Sequence, residues 1–197
     1  MNHQEWSENV ILVDADYIDN VTFNLIVNFE RMLMRRIPKA DFAKWIDCIA
    51  LDGGLREGAH TTQVLLIHEN QNASFRNFSP SDYEKELNGI AFKDNLGEFQ
   101  MAAYPVDDIV SKEDYFMQAL DLIYQSKDVK RLMIVPDCEK MYNKVRSHLN
   151  DNSKEDDNKH ITVFAMEPLP GGDFKQEILG YSLMAALGIR GEEINDK

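Results

Sequence analysis

Apolar residues fall along this chain in two patterns. Short unbroken runs appear at Val10-Ile11-Leu12-Val13, Val64-Leu65-Leu66-Ile67 and Leu132-Met133-Ile134-Val135, and Ile161 to Ala165 is a similar run interrupted only by Thr162. Runs this short and this apolar read as strands buried on both faces, as parallel strands are. Between them, apolar residues recur every three or four positions, the helical period. Leu25, Phe29, Met32 and Leu33 predict a helix from Val21 to Ile37, with Asp19 or Asn20 placed to cap it and Pro38 to stop it. Phe42, Trp45, Ile46 and Ile49 predict a second over Lys39 to Leu51, broken by Asp52-Gly53-Gly54. Tyr115, Phe116, Ala119, Leu120, Ile123 and Tyr124 predict a strong helix from Ser111 to Ser126, and Met141, Val145 and Leu149 another. Phe174, Ile178, Tyr181, Met184 and Leu187 have the spacing of a closing helix.

The middle third is less regular. Asn70 to Ser81 reads as a loop and Asp82 to Leu87 as a short helix. Two extended pieces, Ile90 to Phe92 and Phe99 to Tyr104, flank a turn at Asn95-Leu96-Gly97. Asp151 to Lys159 is a polar, charge-dense loop without an apolar residue, and Pro168-Leu169-Pro170-Gly171-Gly172 a turn. Strands alternating with helices predict an α/β fold: a three-layer α/β/α domain over residues 1–197, with a mostly parallel, Rossmann-like sheet and right-handed crossovers.

Length and composition agree with that picture. A chain of 197 residues, 44% hydrophobic, is long enough to bury one core unaided. No apolar run approaches the roughly 20 residues that span a bilayer, and no cationic start precedes an apolar stretch, so a cytoplasmic location and no membrane are expected. Cys48 and Cys138 are the only cysteines, too few for a disulfide framework or a thiolate zinc site, and read as small buried hydrophobes. With 34 acidic against 21 basic residues the formal charge is −13, which opposes polyanions and predicts weak RNA binding at best. Arg31, Arg35, Arg36 and Lys39 form the one local basic stripe, readable as a nucleic-acid contact or as a solvated helix end whose cations suit the dipole. His60 and His68 lack metal partners in sequence, and His148 and His160 read as surface residues.

In a parallel sheet, ligands bind beyond the carboxyl ends of the strands. Acidic residues recur there: Asp14 and Asp16 after the first strand, Asp107 and Asp108 before the long helix with Glu113 and Asp114 in its first turns, and Asp137 and Glu139 after the third strand. Crowded carboxylates share protons or hold a hard cation such as Mg²⁺ or Mn²⁺, and such an ion can activate water. Aspartates at these places also cap helices and complement helix dipoles without further purpose. Mutual repulsion predicts that Asp14→Asn leaves stability unchanged or raised.

Ile11-Leu12-Val13-Asp14-Ala15-Asp16-Tyr17 resembles the opening strand and Asp-Gly-Glu-Asn of the NYN branch of the PIN-like nucleases. Val106-Asp107, the long helix, and Leu132 to Glu139 resemble that family's valine-aspartate, helix, strand and Ser-Gly-Asp-x-Asp order. The resemblance implies a metal-dependent ribonuclease with Asp14, Asp16, Asp107, Asp137 and Glu139 as catalytic positions, the four aspartates binding Mg²⁺ or Mn²⁺. The chain departs from the pattern: Ala15 and Tyr17 replace Gly and Asn, Pro136 stands in place of Ser-Gly, and Lys140 replaces an aromatic residue. A divergent or degenerate member is therefore expected, and a non-catalytic protein-interaction domain on the same fold is the alternative. A third reading takes Asp14-Ala15-Asp16 as the nucleophile and general acid of a haloacid-dehalogenase-like phosphatase, without the Gly-Thr that follows in that family. Oligomeric state is left open by the sequence.

Overall fold

The computed structural model describes residues 5–152 and 158–195. In chain order the elements are β1 (Asn9–Asp14), α1 (Ala15–Leu33), β2 (Ala40–Asp41), α2 (Phe42–Asp52), β3 (Thr61–Glu69) and β4 (Phe78–Ser79). A π-helical turn (Tyr83–Leu87) precedes β5 (Ala91–Asp94) and β6 (Gly97–Val106). Then come α3 (Lys112–Gln125), β7 (Arg131–Val135), α4 (Cys138–Asn152), β8 (His160–Ala165), β9 (Lys175–Ile178), α5 (Leu179–Ala186) and α6 (Gly191–Asn195). Seven strands form one sheet in the order β5-β6-β3-β1-β7-β8-β9, and β2 pairs with β4 apart from it. Every neighbour in the large sheet is parallel except β5 and β6, which are antiparallel across their tight turn. Gly97 is required in that turn: its φ is 112°, and a Cβ there would run into the His60 carbonyl.

The apolar runs are continuous because both faces of the central strands are covered. Ile11, Val13, Val64, Leu66, Met133 and Val135 pack with Trp45, Ile46 and Ile49 of α2 and Leu179 and Leu183 of α5. Their sequence neighbours Val10, Leu12, Leu65, Ile67, Leu132 and Ile134 point the other way, onto Phe116 and Leu120 of α3 and Val145 and Leu149 of α4. The alternation of a pleated strand thus gives two cores from one run. The three-layer α/β/α class expected from the pattern is the observed one.

Several boundaries differ from the sequence expectation. Helix α1 starts at Ala15, not Val21, because β1 passes into it without a loop: Asp14 closes the strand and caps the helix, accepting from the Tyr17 N–H at 3.0 Å. Neither Asp19 nor Asn20 caps it. Asp19 lies inside α1 and accepts from the backbone N–H groups of Arg76 and Asn77, pinning the 70–81 loop to the helix. The helix ends at Leu33, with Met34 in the left-handed conformation, before Pro38 can act. Helix α2 starts at Phe42, where Asp41 caps the Lys44 N–H.

The predicted closing helix is a strand followed by a helix. Phe174 packs into the α3–α4 core, Leu179 and Leu183 into the other, and Tyr181 is 71% exposed, so its spacing does not trace one face. Lys175–Ile178 instead pairs with the free edge of β8. The two cysteines are half-buried rather than buried. His148 is half-buried too, with Nε2 3.8 Å from Asp121. Of the expected loop Asp151 to Lys159, Asp151 and Asn152 end α4, and residues 153–157 lie outside the described residues.

Candidate acidic cleft

The chain leaves β1 for β3 on one side of the sheet and returns to β7 on the other, so β1 and β7 flank a topological switch point. Asp14 is the last residue of β1, and Asp137 follows β7 by two positions. Both stand at the carboxyl ends of neighbouring parallel strands, one at the start of each following helix. Asp14, Glu69, Asp107, Asp108, Glu113 and Asp137 line a single cleft of about 310 Å³ there, together with Ser111, Lys112 and Lys140.

Asp14 is fully buried. Burial pushes its carboxyl above the usual aspartate range, against the pull of the Lys112 charge and two hydrogen bonds, and the Asp16 charge adds to the rise. Its Oδ1 accepts from the Tyr17 N–H and from Lys112 Nζ at 2.8 Å, whereas Oδ2 is buried with no partner in the protein. Asp16 receives the same ammonium at 3.0 Å and the Glu69 N–H at 2.8 Å on Oδ2, and the Asn72 amide on Oδ1 at 2.6 Å. Lys112 thus bridges two carboxylates with its side chain 10% exposed. Burial would lower the pKa of its ammonium, but Asp14 and Asp16 outweigh that and hold it above the ordinary lysine value. The lysine is a fixed cation, not a nucleophile.

Asp137 serves its own helix. Its Oδ1 accepts from the N–H groups of Glu139 and Lys140, and Lys140 Nζ lies 3.7 Å from Oδ2. Cys138 beside it donates to the Phe164 carbonyl, and burial, with the Asp137 charge, pushes its thiol up to about 12, so it is no thiolate at neutral pH. Burial, then Cys138, Asp137, Glu139 and Asp14, likewise raise the Tyr17 phenol.

The structure therefore brings Asp14, Asp107 and Asp137 to one cleft and ties Asp16 to it through Lys112. Glu139, exposed on the first turn of α4, is not among the lining residues. A divalent ion needs several oxygen donors free to turn toward it. Here an ammonium already holds Asp14 and Asp16, the Asn72 amide occupies the other oxygen of Asp16, and backbone N–H groups occupy one oxygen of Asp137. Among the described residues no group of three or more His, Cys, Asp or Glu side chains is arranged to hold a metal ion. The donor set does not fit Mg²⁺ or Mn²⁺. The phosphatase reading meets a related obstacle, since Asp14, its attacking group, is fully buried with Oδ1 doubly held.

Lys112 is the residue that sequence reasoning missed. It carried a signal: a lysine opening a helix, directly after Ser111, sets a cation at the positive end of the helix dipole, where acids are favoured. Asp19 reads in sequence only as a possible cap, and nothing in the local pattern marks its long-range contact with Arg76 and Asn77.

Fold and cleft together define a doubly wound α/β domain with a lysine-bridged acidic site at its switch point. The chain belongs to the family of unknown function DUF6621, whose model matches residues 3–194. No curated protein and no solved structure matches it.

Proposed function

We propose that this chain is a PIN/NYN-like domain that has given up metal-dependent RNA cleavage and works as a protein-interaction domain. The observation that carries the reading is the Lys112 ammonium between Asp14 and Asp16, at 2.8 and 3.0 Å, in the position where the resemblance calls for a divalent cation. The surface supports it. A net charge of −13 repels RNA, and the basic stripe is partly neutralised: Arg35 forms a two-pronged pair with Glu193, and Arg36 pairs with Glu30. A partner of opposite charge, a basic protein surface, suits this chain better than a nucleic acid does.

The test is incubation of labelled single-stranded RNA with the purified protein and millimolar Mn²⁺. No cleavage above background is expected, along with RNA binding too weak to show a steep salt dependence. Mn²⁺-dependent cleavage that disappears in Asp14→Asn overturns the reading and restores the nuclease.

A further inference from the structure

We propose that the chain forms a symmetric dimer through the outward face of α1, two copies of the helix lying antiparallel with Val27 on the twofold axis. The inference goes beyond the reading of the acidic cleft and does not depend on it.

Helix α1 has two faces. Ile18 and Thr22 are buried, and Leu25, Phe29 and Leu33 pack half-buried against the core, so this stripe, spaced by three or four residues, faces inward. Asn20, Phe23, Asn24, Val27, Arg31 and the capping Met34 lie on the opposite side and are exposed, Phe23 by 54%, Val27 by 38% and Met34 by 83%. A helix side that meets only water is normally charged. Here residues 20–29 carry no charge at all, in a chain that is 28% charged. Glu30 stands at the margin, engaged by Arg36 and by the Ile37 N–H. An aromatic ring, a methionine and an arginine without acids between them make the composition of an interface centre, not of a solvated face.

Charge and spacing say what covers it. With a formal charge of −13 on each copy, two molecules repel over most of their surfaces, and this face lets them meet without opposed carboxylates. The stripe is also symmetric about its midpoint: Phe23 and Arg31 lie four positions before and after Val27, and Asn20 and Met34 seven before and after. Those steps are about one and two helical turns, so the five residues keep to one side. Turned antiparallel about Val27, the helix sets Phe23 beside Arg31 of the second copy and Asn20 beside Met34 of the second copy, and each pairing occurs twice, as an isologous contact requires. Arg31 has no ion-pair partner among the described residues, and the Phe23 ring face offers it a cation–π contact that needs no acid. A basic protein surface would meet Arg31 with like charge and belongs elsewhere on the molecule. Two such faces bury on the order of 1,000 Å², the lower bound of a specific interface, so the dimer is weak and concentration-dependent.

The experiment is sedimentation equilibrium from low to several hundred micromolar protein at low and high NaCl, on wild type and Phe23→Glu, with oxidative cross-linking of Val27→Cys and Asn28→Cys. Wild type is expected to pass from the mass of one chain to that of two, with a micromolar dissociation constant that falls severalfold on adding salt, because screening weakens the repulsion between acidic copies. Phe23→Glu, melting as wild type does, weakens association about tenfold or more. Val27→Cys, on the axis, forms a disulfide-linked dimer, whereas Asn28→Cys, about 100° round the helix, and wild type with its own Cys48 and Cys138 do not. Wild type that stays monomeric at every concentration and salt overturns the proposal and leaves the face to a different protein. A dimer that Phe23→Glu does not weaken, or Val27→Cys that links no faster than Asn28→Cys, overturns it as well. If Phe23→Glu fails to fold, Phe23→Ser takes its place with the same expectation.

Discussion

At Lys112 a single ammonium answers two carboxylates, and this makes the three residues unequal. Asp14→Asn keeps a good helix cap, since asparagine caps as well as aspartate, and leaves Lys112 paired with Asp16. Lys112→Met leaves both carboxylates without their cation, and breaking a buried pair in this sense costs about 3–5 kcal/mol. The lysine variant is therefore expected to be the more destabilised of the two. A double-mutant cycle by urea unfolding should give an Asp14–Lys112 coupling on the order of 1–3 kcal/mol; a coupling near zero would mean that the contact is not held in solution. The expectation that Asp14→Asn leaves stability unchanged or raised rests on repulsion among the acids, whereas the nearest charge to Asp14 is the Lys112 ammonium, so the outcome is set by how far burial of the carboxyl outweighs that pair. The sequence showed the acids readily because they recur after strands. It did not show what stands among them, because a lysine nearly a hundred positions from Asp14 reaches it only through the fold.

At the scale of elements, legibility followed how local the determining contacts are. β1, β3 and β7 stood out because burial on both faces leaves four apolar residues in a row, β8 because only Thr162 interrupts its run, and the β5–β6 turn because Gly97 sits in a conformation that favours glycine. The start of α1 was hidden, since β1 passes into it without a loop, Asp14 both closing the strand and capping the helix, and the apolar stripe that locates the helix in sequence begins only later. β9 was hidden because a four-residue edge strand before a helix has nearly the periodicity of the helix itself. The 70–81 loop depends on Asp19 in the middle of α1, whose carboxylate takes the Arg76 and Asn77 N–H groups at 2.9–3.2 Å. Asp19→Ala should orphan these donors and cost about 1.5–3 kcal/mol, the range for hydrogen bonds to a charged group. Hydrogen exchange at the Arg76 and Asn77 amides should accelerate far more than at Leu65 or Leu66 of β3, and equal acceleration everywhere would show that global unfolding, not release of the loop, is the effect.

The whole molecule should be most stable on the acid side of neutrality. Burial, a hydrogen bond to Asp94 and the charges of Asp94 and Asp41 push the Asp47 carboxyl up to about 7, from an ordinary value of 3.8. In that interval the folded chain keeps a proton that the unfolded chain has released, so each rise in pH takes stability away; the contribution is full below the ordinary value and lost once pH passes about 7. Asp14 and Asp52, both raised chiefly by burial, act in the same direction. Glu86 and Glu193, held low mainly by backbone hydrogen bonds, act in the opposite direction, with stability falling only as pH drops through the more acidic range where they take up protons. A charge of −13 adds self-repulsion that grows as the remaining carboxyls ionise. The melting temperature is therefore expected to fall between about pH 5 and about pH 8. Salt and mutation separate the two causes: added NaCl should lift the curve at the alkaline end by screening the overall repulsion, while Asp47→Asn should flatten the slope without salt, because it removes the proton linkage and keeps an amide opposite Asp94. A melting temperature that rises across this interval, or an Asp47→Asn profile parallel to wild type, would show that Asp47 is ionised in the folded protein and that its pairing with Asp94 does not exist in solution.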